Sequence, residues 1–436
     1  MKYSYENINT IKMELMQSEF VSKCRISDNS YIRTRKVKPQ DIILYELNKK
    51  GLSTKMEIIN FNNINNIENI SSPGLFKQRE KLNPEAFIYL MQVSLKKFYE
   101  KYKKEVKTYK GYILTGIDGS DYEIPNTKKS REAYNGKQQK QCARITVSTC
   151  YDLLNHYTLD TIIENYNYSE TEMAQRHYQN IFENQLIDDF KSIRIMDRNY
   201  RNLSNIYNYI KNDDKFIIRI ASSVYEKENQ AMNTNDEIIK IKYEYNRAKY
   251  YENSNAELYE YLKAGNSIKV RCVKIELETG EIEILLTNLE QEKFTTKEIK
   301  ELYNLRWQIE INYRHLKNNL KIESITSSKI KLIKQDIYSQ VLVSNLLQAF
   351  INENDEKINQ TKYKNKMKTN SNMSVGIFKN TLIYILLENN NKKRCEMMEK
   401  FSDALQKYIV PVKPGRKNSR INNPKNRYHI NQRKTF

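Results

Sequence analysis

The sequence predicts an α/β protein: a helix-covered sheet, broken by a mainly β insertion and preceded by a helical N-terminal domain. Three observations predict it. Residues 1 to about 105 look helical. From residue 111 short β-branched apolar runs alternate with helical stretches. Further along, two strands flank Thr279-Gly280, a hairpin signal.

In the N-terminal part, residues 40–47 and 83–95 read as helices, and Pro84 suits a first helical turn. Residues 71–81 read as a Pro-Gly turn leading into a basic helix, an arrangement that suits DNA binding. The apolar run 112–117 then ends in Asp118-Gly119-Ser120, and 121–125 reads as the return strand of a hairpin. Strands follow at 144–152 and 156–163, then a helix at 169–186. A strand at 193–196 is closed by Asp197-Arg198-Asn199-Tyr200; a helix at 203–210 and a strand at 216–220 come next. Three strands, a helix, a strand, a helix and a strand is the order of a ribonuclease-H-like core. Residues 222–290 interrupt it, with 226–255 loop-rich or partly helical and strands at 268–277 and 281–288. The expected organisation is a helical domain 1–105, core 106–221, insertion 222–290, core 291–390 and a basic tail 391–436.

Residues 295–320 read as one helix. Thr295 with Glu298 three residues on is a capping box. Ile299, Leu302, Leu305, Ile309, Tyr313, Leu316 and Leu320 draw one apolar stripe. Tyr303, Arg306, Glu310, Arg314 and Lys317 run one residue ahead, bordering the buried face. On spacing alone, this polar line is either a salt-bridged surface or a site. A helical run at 329–350 follows. The end of the chain, 411–436, carries eight Lys and Arg residues and no acid, and reads as an arm that tracks phosphates.

The formal net charge of the 436 residues is +20. That balance points to a polyanion partner, most simply nucleic acid. No apolar run of ~18 residues and no signal-peptide core are present, which argues against a membrane. Five scattered cysteines without a C-x-x-C pair fit a reducing cytosol and argue against a disulfide scaffold and a structural zinc site. The four histidines lack zinc spacing, and no Walker loop or G-x-S-x-G elbow occurs.

Asp118 and Asp197 each end a strand run, where open α/β sheets place their sites. With Glu310 on the later helix they suit a cage for hard divalent cations. Two Mg²⁺ ions about 4 Å apart can activate a nucleophile and steady a leaving oxygen in phosphodiester cleavage. Asp121 competes with Asp118, which is preferred because Gly119 lets the backbone turn beside a ligand. Asp152 and Asp160 read as turn acids, and nothing specific recommends Asp336.

Tyr303, two residues, Arg306, three residues, Glu310, six residues, Lys317 resembles the Y-R-E-K signature of DDE transposases of insertion-sequence family four. Ile117-Asp-Gly-Ser with Ile124-Pro-Asn-Thr, Met196-Asp-Arg-Asn-Tyr200, and residues 75–87 look like that family too. The resemblance implies a ribonuclease-H-like core with a β insertion, and Asp118, Asp197 and Glu310 as a triad holding Mg²⁺ (or Mn²⁺), two ions. It implies that Tyr303, Arg306 and Lys317 hold the transposon-end backbone. Arg198 pairs with Asp197 or with a phosphate; Arg314 meets DNA or balances Glu310. Trp307 is expected in the core. Some relatives stack a flipped base on a tryptophan of the insertion; here that role falls to Tyr243, Tyr245 or another tyrosine, or is absent.

The implied activity is cut-and-paste transposition of an insertion sequence by end cleavage and strand transfer. The implied partner is double-stranded DNA, both terminal inverted repeats and target, bound by a homodimer in the bacterial cytoplasm at the nucleoid, with no membrane. The rival readings are a nuclease of the same fold without strand transfer, and a non-catalytic DNA-binding derivative.

Overall fold

The computed structural model describes residues 2–33, 35–65, 70–138 and 142–412. Six helices come first: α1 (Tyr3–Met16), α2 (Ser18–Cys24), α3 (Pro39–Asn48), α4 (Thr54–Asn65), α5 (Ser72–Arg79) and α6 (Glu85–Lys101). In α5 the expected Pro-Gly turn is instead the helix's own first turn. Ser71 Oγ caps it by accepting from Gly74 N at 3.2 Å. Pro73 loses nothing there, because first-turn N–H groups have no intrahelical partner.

Eight strands then form one sheet: β1 (Tyr112–Glu123), β2 (Arg144–Asp152), β3 (Thr158–Asn165), β4 (Lys191–Met196), β5 (Lys215–Ile220), β6 (Asp236–Ile241), β7 (Ile268–Glu276) and β8 (Ile282–Thr287). Their spatial order is 3-2-1-4-5-8-7-6. β2 runs antiparallel to both β1 and β3, whereas β1, β4 and β5 are parallel. That 3-2-1-4-5 order with only the second strand reversed is the ribonuclease-H-like arrangement. Helices α7 (Lys128–Tyr134), α8 (Glu170–Glu183) and α9 (Leu203–Lys211) connect it.

The register corrects one expectation. β1 does not end at Asp118, and no hairpin separates Asp118 from Asp121. β2 pairs with it from Thr115 opposite Asp152 to Glu123 opposite Arg144, so it stays extended. The parallel partner β4 stops earlier, with Gly116 opposite Ile195. Asp118 therefore stands just past the end of the β1–β4 ladder. Asp197 directly follows β4 and caps a 3₁₀ turn, Arg198–Tyr200.

The insertion contains α10 (Glu226–Gln230), β6, α11 (Tyr245–Lys249), α12 (Ala256–Lys263), β7 and β8. β8 pairs antiparallel with β5, so the insertion extends the core sheet. The expectation of loop or helix at 226–255 overlooked β6, an edge strand whose Ile239 and Ile241 are buried while Ile238 is exposed. Gly280, with φ +80°, makes the expected turn between β7 and β8.

The final part holds α13 (Thr296–Asn304), α14 (Trp307–Arg314), α15 (Ile330–Gln360), α16 (Ser371–Leu387), α17 (Asn391–Lys407) and a small pair, β9 (Met367–Thr369) with β10 (Ile409–Pro411). α17 lies within the stretch expected as tail, and buries Met398, Phe401 and Leu405. Residues 413–436, which carry the expected basic arm, lie outside the described residues. Among the described residues no helix is long and apolar enough to cross a membrane.

α15 is the frame on which helices and sheet meet. α1, α3 and α6 pack on it. Its Asn345 bonds both the N–H and the carbonyl of Thr158 in β3, at 2.9 and 2.8 Å. Asp336, expected at most to touch the site, is buried in an ion cluster instead. Arg79 is fully buried and reaches Glu46 at 2.6 Å, Asp336 at 2.7 Å and Thr326 Oγ1 at 2.8 Å. Lys49 bridges the same two acids. Two cations and two carboxylates are mutually neutralised, so burial is tolerated. Arg79 thus has a structural duty, not a DNA-facing one, although it lies on the basic helix.

Removing one partner of such a cluster strands buried charge. Arg79→Ala should cost about 3–5 kcal/mol, whereas Lys77→Ala, at an exposed position on the same helix, should stay within about 0.5 kcal/mol. Urea unfolding of the two variants checks this.

Candidate active site

The expected single helix 295–320 is three pieces. The Thr295–Glu298 capping box starts α13, the chain turns at Leu305-Arg306, α14 resumes, and a π turn over His315–Asn319 ends it. The apolar stripe still faces inward: Ile299, Leu302, Ile309, Tyr313, Leu316 and Leu320 are all buried. The break changes what surrounds it. Trp307, expected in the core, opens α14 and is 44% exposed.

Tyr313 connects this helix to β1. Its hydroxyl donates to the Asp118 carbonyl at 2.6 Å and also stands 3.2 Å from the Val147 carbonyl. One turn earlier on α14, Glu310 accepts from Arg306 Nη2 at 2.8 Å. The same guanidinium lies 4.0 Å from the Asp118 carboxylate. One half-buried cation therefore serves both the first and the third expected acid. Burial pushes Asp118 up to about 7; Arg306 opposes this, while Asp197 and Glu170 add repulsion. Asp197 accepts from Asn199 N at 2.7 Å, which turns its carboxylate toward the 3₁₀ turn.

The expected DNA contacts divide. Arg314 and Arg198 are exposed. Among the described residues Arg198 makes no ion pair with Asp197. Tyr303 is buried, 6.0 Å from the Arg306 guanidinium at its ring centre. Lys317 is bound inward: Nζ donates to the Asp121 carbonyl at 2.5 Å, lies 3.9 Å from Glu323 and sits 4.7 Å over Tyr122. In this arrangement it pins the far end of β1. Of the tyrosines considered for stacking, Tyr243 and Tyr245 are both exposed on the insertion.

A Ser-His-Asp constellation occurs nearby, but it is no nucleophile. His177 lies 2.8 Å from Asp160 and 2.9 Å from Ser148, and all three are buried. Ser148 Oγ is 3.4 Å from the Asp118 carbonyl, so the trio braces the strand that carries Asp118. Asp160, expected as a turn acid, belongs to it.

Sequence reasoning missed three residues here. Tyr313 was legible only as apolar stripe. Glu170 follows a helix cap, Ser169, and looks like any first-turn acid. Tyr200 stood only as the last residue of the Met196–Tyr200 motif; it is fully buried, and among the described residues its hydroxyl has no hydrogen-bond partner.

Among the described residues no three His, Cys, Asp or Glu side chains converge closely enough to hold a metal ion. The chemistry of the donors nevertheless suits one. They are carboxylates, the ligands hard divalent cations take. The half-buried Asp118 lacks enough positive charge to hold it in the ordinary carboxylate range. Among the described residues, Arg306 Nε and Tyr200 Oη are buried there without hydrogen-bond partners.

The family model described as Transposase DDE domain matches residues 109–346, which span all three acids. Transposase InsG for insertion sequence element IS4 of Escherichia coli (strain K12) is 20% identical over 245 residues, covering 54% of this chain and 52% of that protein. The transposase for insertion sequence element IS421 of Escherichia coli is 31% identical over 91 residues, 21% of this chain and 24% of that one. The chain thus spans about half the length of the first relative and about a quarter of the second. A cryo-EM structure of a piggyBac transposase synaptic complex with hairpin DNA aligns with TM-score 0.39 and 9% identity, over 94% of this chain and 86% of that one.

The elevated Asp118 pKa has a stability consequence. Between the unfolded value near 4 and about 7, the folded metal-free chain keeps a proton that the unfolded chain releases. Stability therefore falls as pH rises through that window. Asp118→Asn should remove this loss, gaining roughly 1–4 kcal/mol over wild type at pH 8 relative to pH 4. Denaturation in EDTA at both pH values measures it.

Proposed function

The chain belongs to the transposase DDE-domain family, and from that premise we propose that it cuts and pastes an insertion sequence, cleaving the element's ends and joining them to target DNA. The observation that carries this reading is the meeting of Asp118 and Glu310, distant in sequence, at the single guanidinium of Arg306. The spacing of Tyr303, Arg306, Glu310 and Lys317 supports the finer placement among Y-R-E-K transposases of insertion-sequence family four.

On this reading Asp118, Asp197 and Glu310 would hold Mg²⁺ or Mn²⁺. Two such ions, when bound, supply Lewis acidity to the scissile phosphate and lower the pKa of the attacking water or hydroxyl. The chain's own residues do the rest. Tyr313 holds Glu310's helix to Asp118's strand and so keeps the acids in register. Arg306 balances the acids in the free protein and offers a planar fork to a DNA phosphate. Arg314 and Arg198 are exposed cations beside the acids and meet the strand's backbone; Lys317 contributes positive charge from behind β1. Duplex end and target DNA are the partners, in the bacterial cytoplasm. Holding two ends together requires a homodimer on DNA.

Glu310→Gln should lower Mg²⁺-dependent cleavage of the element's ends by ~1000-fold, the several kcal/mol that metal-assisted charge stabilisation supplies. Binding of the same DNA in a mobility shift should persist. Wild-type cleavage by this variant would refute the reading. Product joined to a labelled target plasmid distinguishes transposition from simple hydrolysis.

A further inference from the structure

Glu170 opens α8, one residue after the cap Ser169. Its neighbour Glu172 lies in solvent, as a first-turn acid serving only the helix dipole would. Glu170 instead folds over the residue that follows Asp118. A Cβ built on Gly119 would come within 3.1 Å of Glu170 Oε1 and 3.2 Å of its Cδ. Any larger residue there would push that carboxylate aside by a few tenths of an ångström. The other oxygen, Oε2, is 3.5 Å from Asn199 Nδ2, two residues past Asp197. Glu170 thus spans the gap between the segments that carry Asp118 and Asp197. Among the described residues it has no ion-pair partner.

A second observation points to a missing ligand. Tyr200 is fully buried and, among the described residues, its hydroxyl meets no donor or acceptor. Burial first, and then the charges of Glu170, Asp118 and Asp197, oppose its ionisation, and the turn that carries it packs against α8, whose first turn holds Glu170. Burial without a partner disfavours such a group, and a ligand that bonds it relieves the cost. Three acids and an idle hydroxyl share this space, with Arg306 approaching only Asp118 among the three. Without a cation, like charges hold these carboxylates apart.

We propose that Glu170 is a further metal-ligating acid, which joins Asp118 and Asp197 in holding a divalent cation, with the Tyr200 hydroxyl bonding a water of that cation. This rests on the reading of Asp118, Asp197 and Glu310 as a metal site, and adds a fourth carboxylate to it. Glu170 would set the site's affinity for the cation before DNA arrives. Gly119 would favour this arrangement because it makes room for Glu170.

The test is Mn²⁺ binding by the full chain at pH 8, followed by isothermal calorimetry and by the electron paramagnetic resonance of free Mn²⁺. Glu170→Gln is expected to weaken binding roughly tenfold or more, as Asp197→Asn does, with Glu172→Gln unchanged. Gly119→Ala, which keeps every acid but crowds Glu170, is expected to weaken it too. Thermal unfolding in EDTA should show Glu170→Gln at least as stable as wild type, which separates ligation from a folding role. Wild-type Mn²⁺ affinity in Glu170→Gln and Gly119→Ala, beside a loss in Asp197→Asn, would overturn the proposal and leave the site standing. No Mn²⁺ binding by the wild-type chain, or none lost in Asp118→Asn and Asp197→Asn, would overturn both.

Discussion

One hydrogen bond sets the separation of the first and third acids. Tyr313 Oη donates to the Asp118 carbonyl at 2.6 Å, across most of the core's sequence. It acts on backbone, so it leaves the Asp118 carboxylate free to face the site. It also places Glu310, nearly one turn earlier, on the same side of the sheet. Around that bond the structure braces β1 from behind. Ser148 lies beside the same carbonyl, held by His177 and Asp160. Lys317 holds the carbonyl of Asp121 further along.

The second constraint is electrostatic. Several carboxylates are gathered at the end of the β1–β4 ladder, partly buried, with one guanidinium among them. Burial disfavours the charged form, and like charges disfavour it further. The free protein meets this by protonating Asp118 near neutral pH and by tying Arg306 to Glu310. Both devices are reversible, which suits the proposed uptake of cations and then of a polyanion. The ion cluster on α15 is the opposite case. There Arg79 and Lys49 match Glu46 and Asp336 one for one, and nothing is left for a ligand.

Much of this was legible in the sequence because the core strands are apolar, β-branched and bounded by turn residues. The 3-2-1-4-5 core follows from their order, and the inward stripe of 295–320 from helical spacing. What failed has identifiable causes. Asp118 interrupts an apolar run, so it reads as a strand end; pairing with β2 keeps the chain extended past it. β6 carries acids and buries only one face, so it reads as loop. Trp307 reads as core by type, but the turn at Leu305-Arg306 leaves it at the surface. The polar stripe revealed Arg306 and Glu310 but not that Lys317 bonds inward. Tyr313 read only as apolar stripe, Tyr200 only as the end of a motif, and Glu170 as an ordinary first-turn acid, because their significance lies in partners from other elements.

The central claim is that residues from β1, the end of β4 and α14 form one cation site. The most direct measurement is the anomalous scattering of Mn²⁺ in crystals of the full chain soaked at pH 8. The account predicts a Mn²⁺ peak contacted by the carboxylates of Asp118 and Asp197, with Glu310 turned from Arg306 toward it. Ordered density for all three acids with no Mn²⁺ between them, and Arg306 still bound to Glu310, would contradict it.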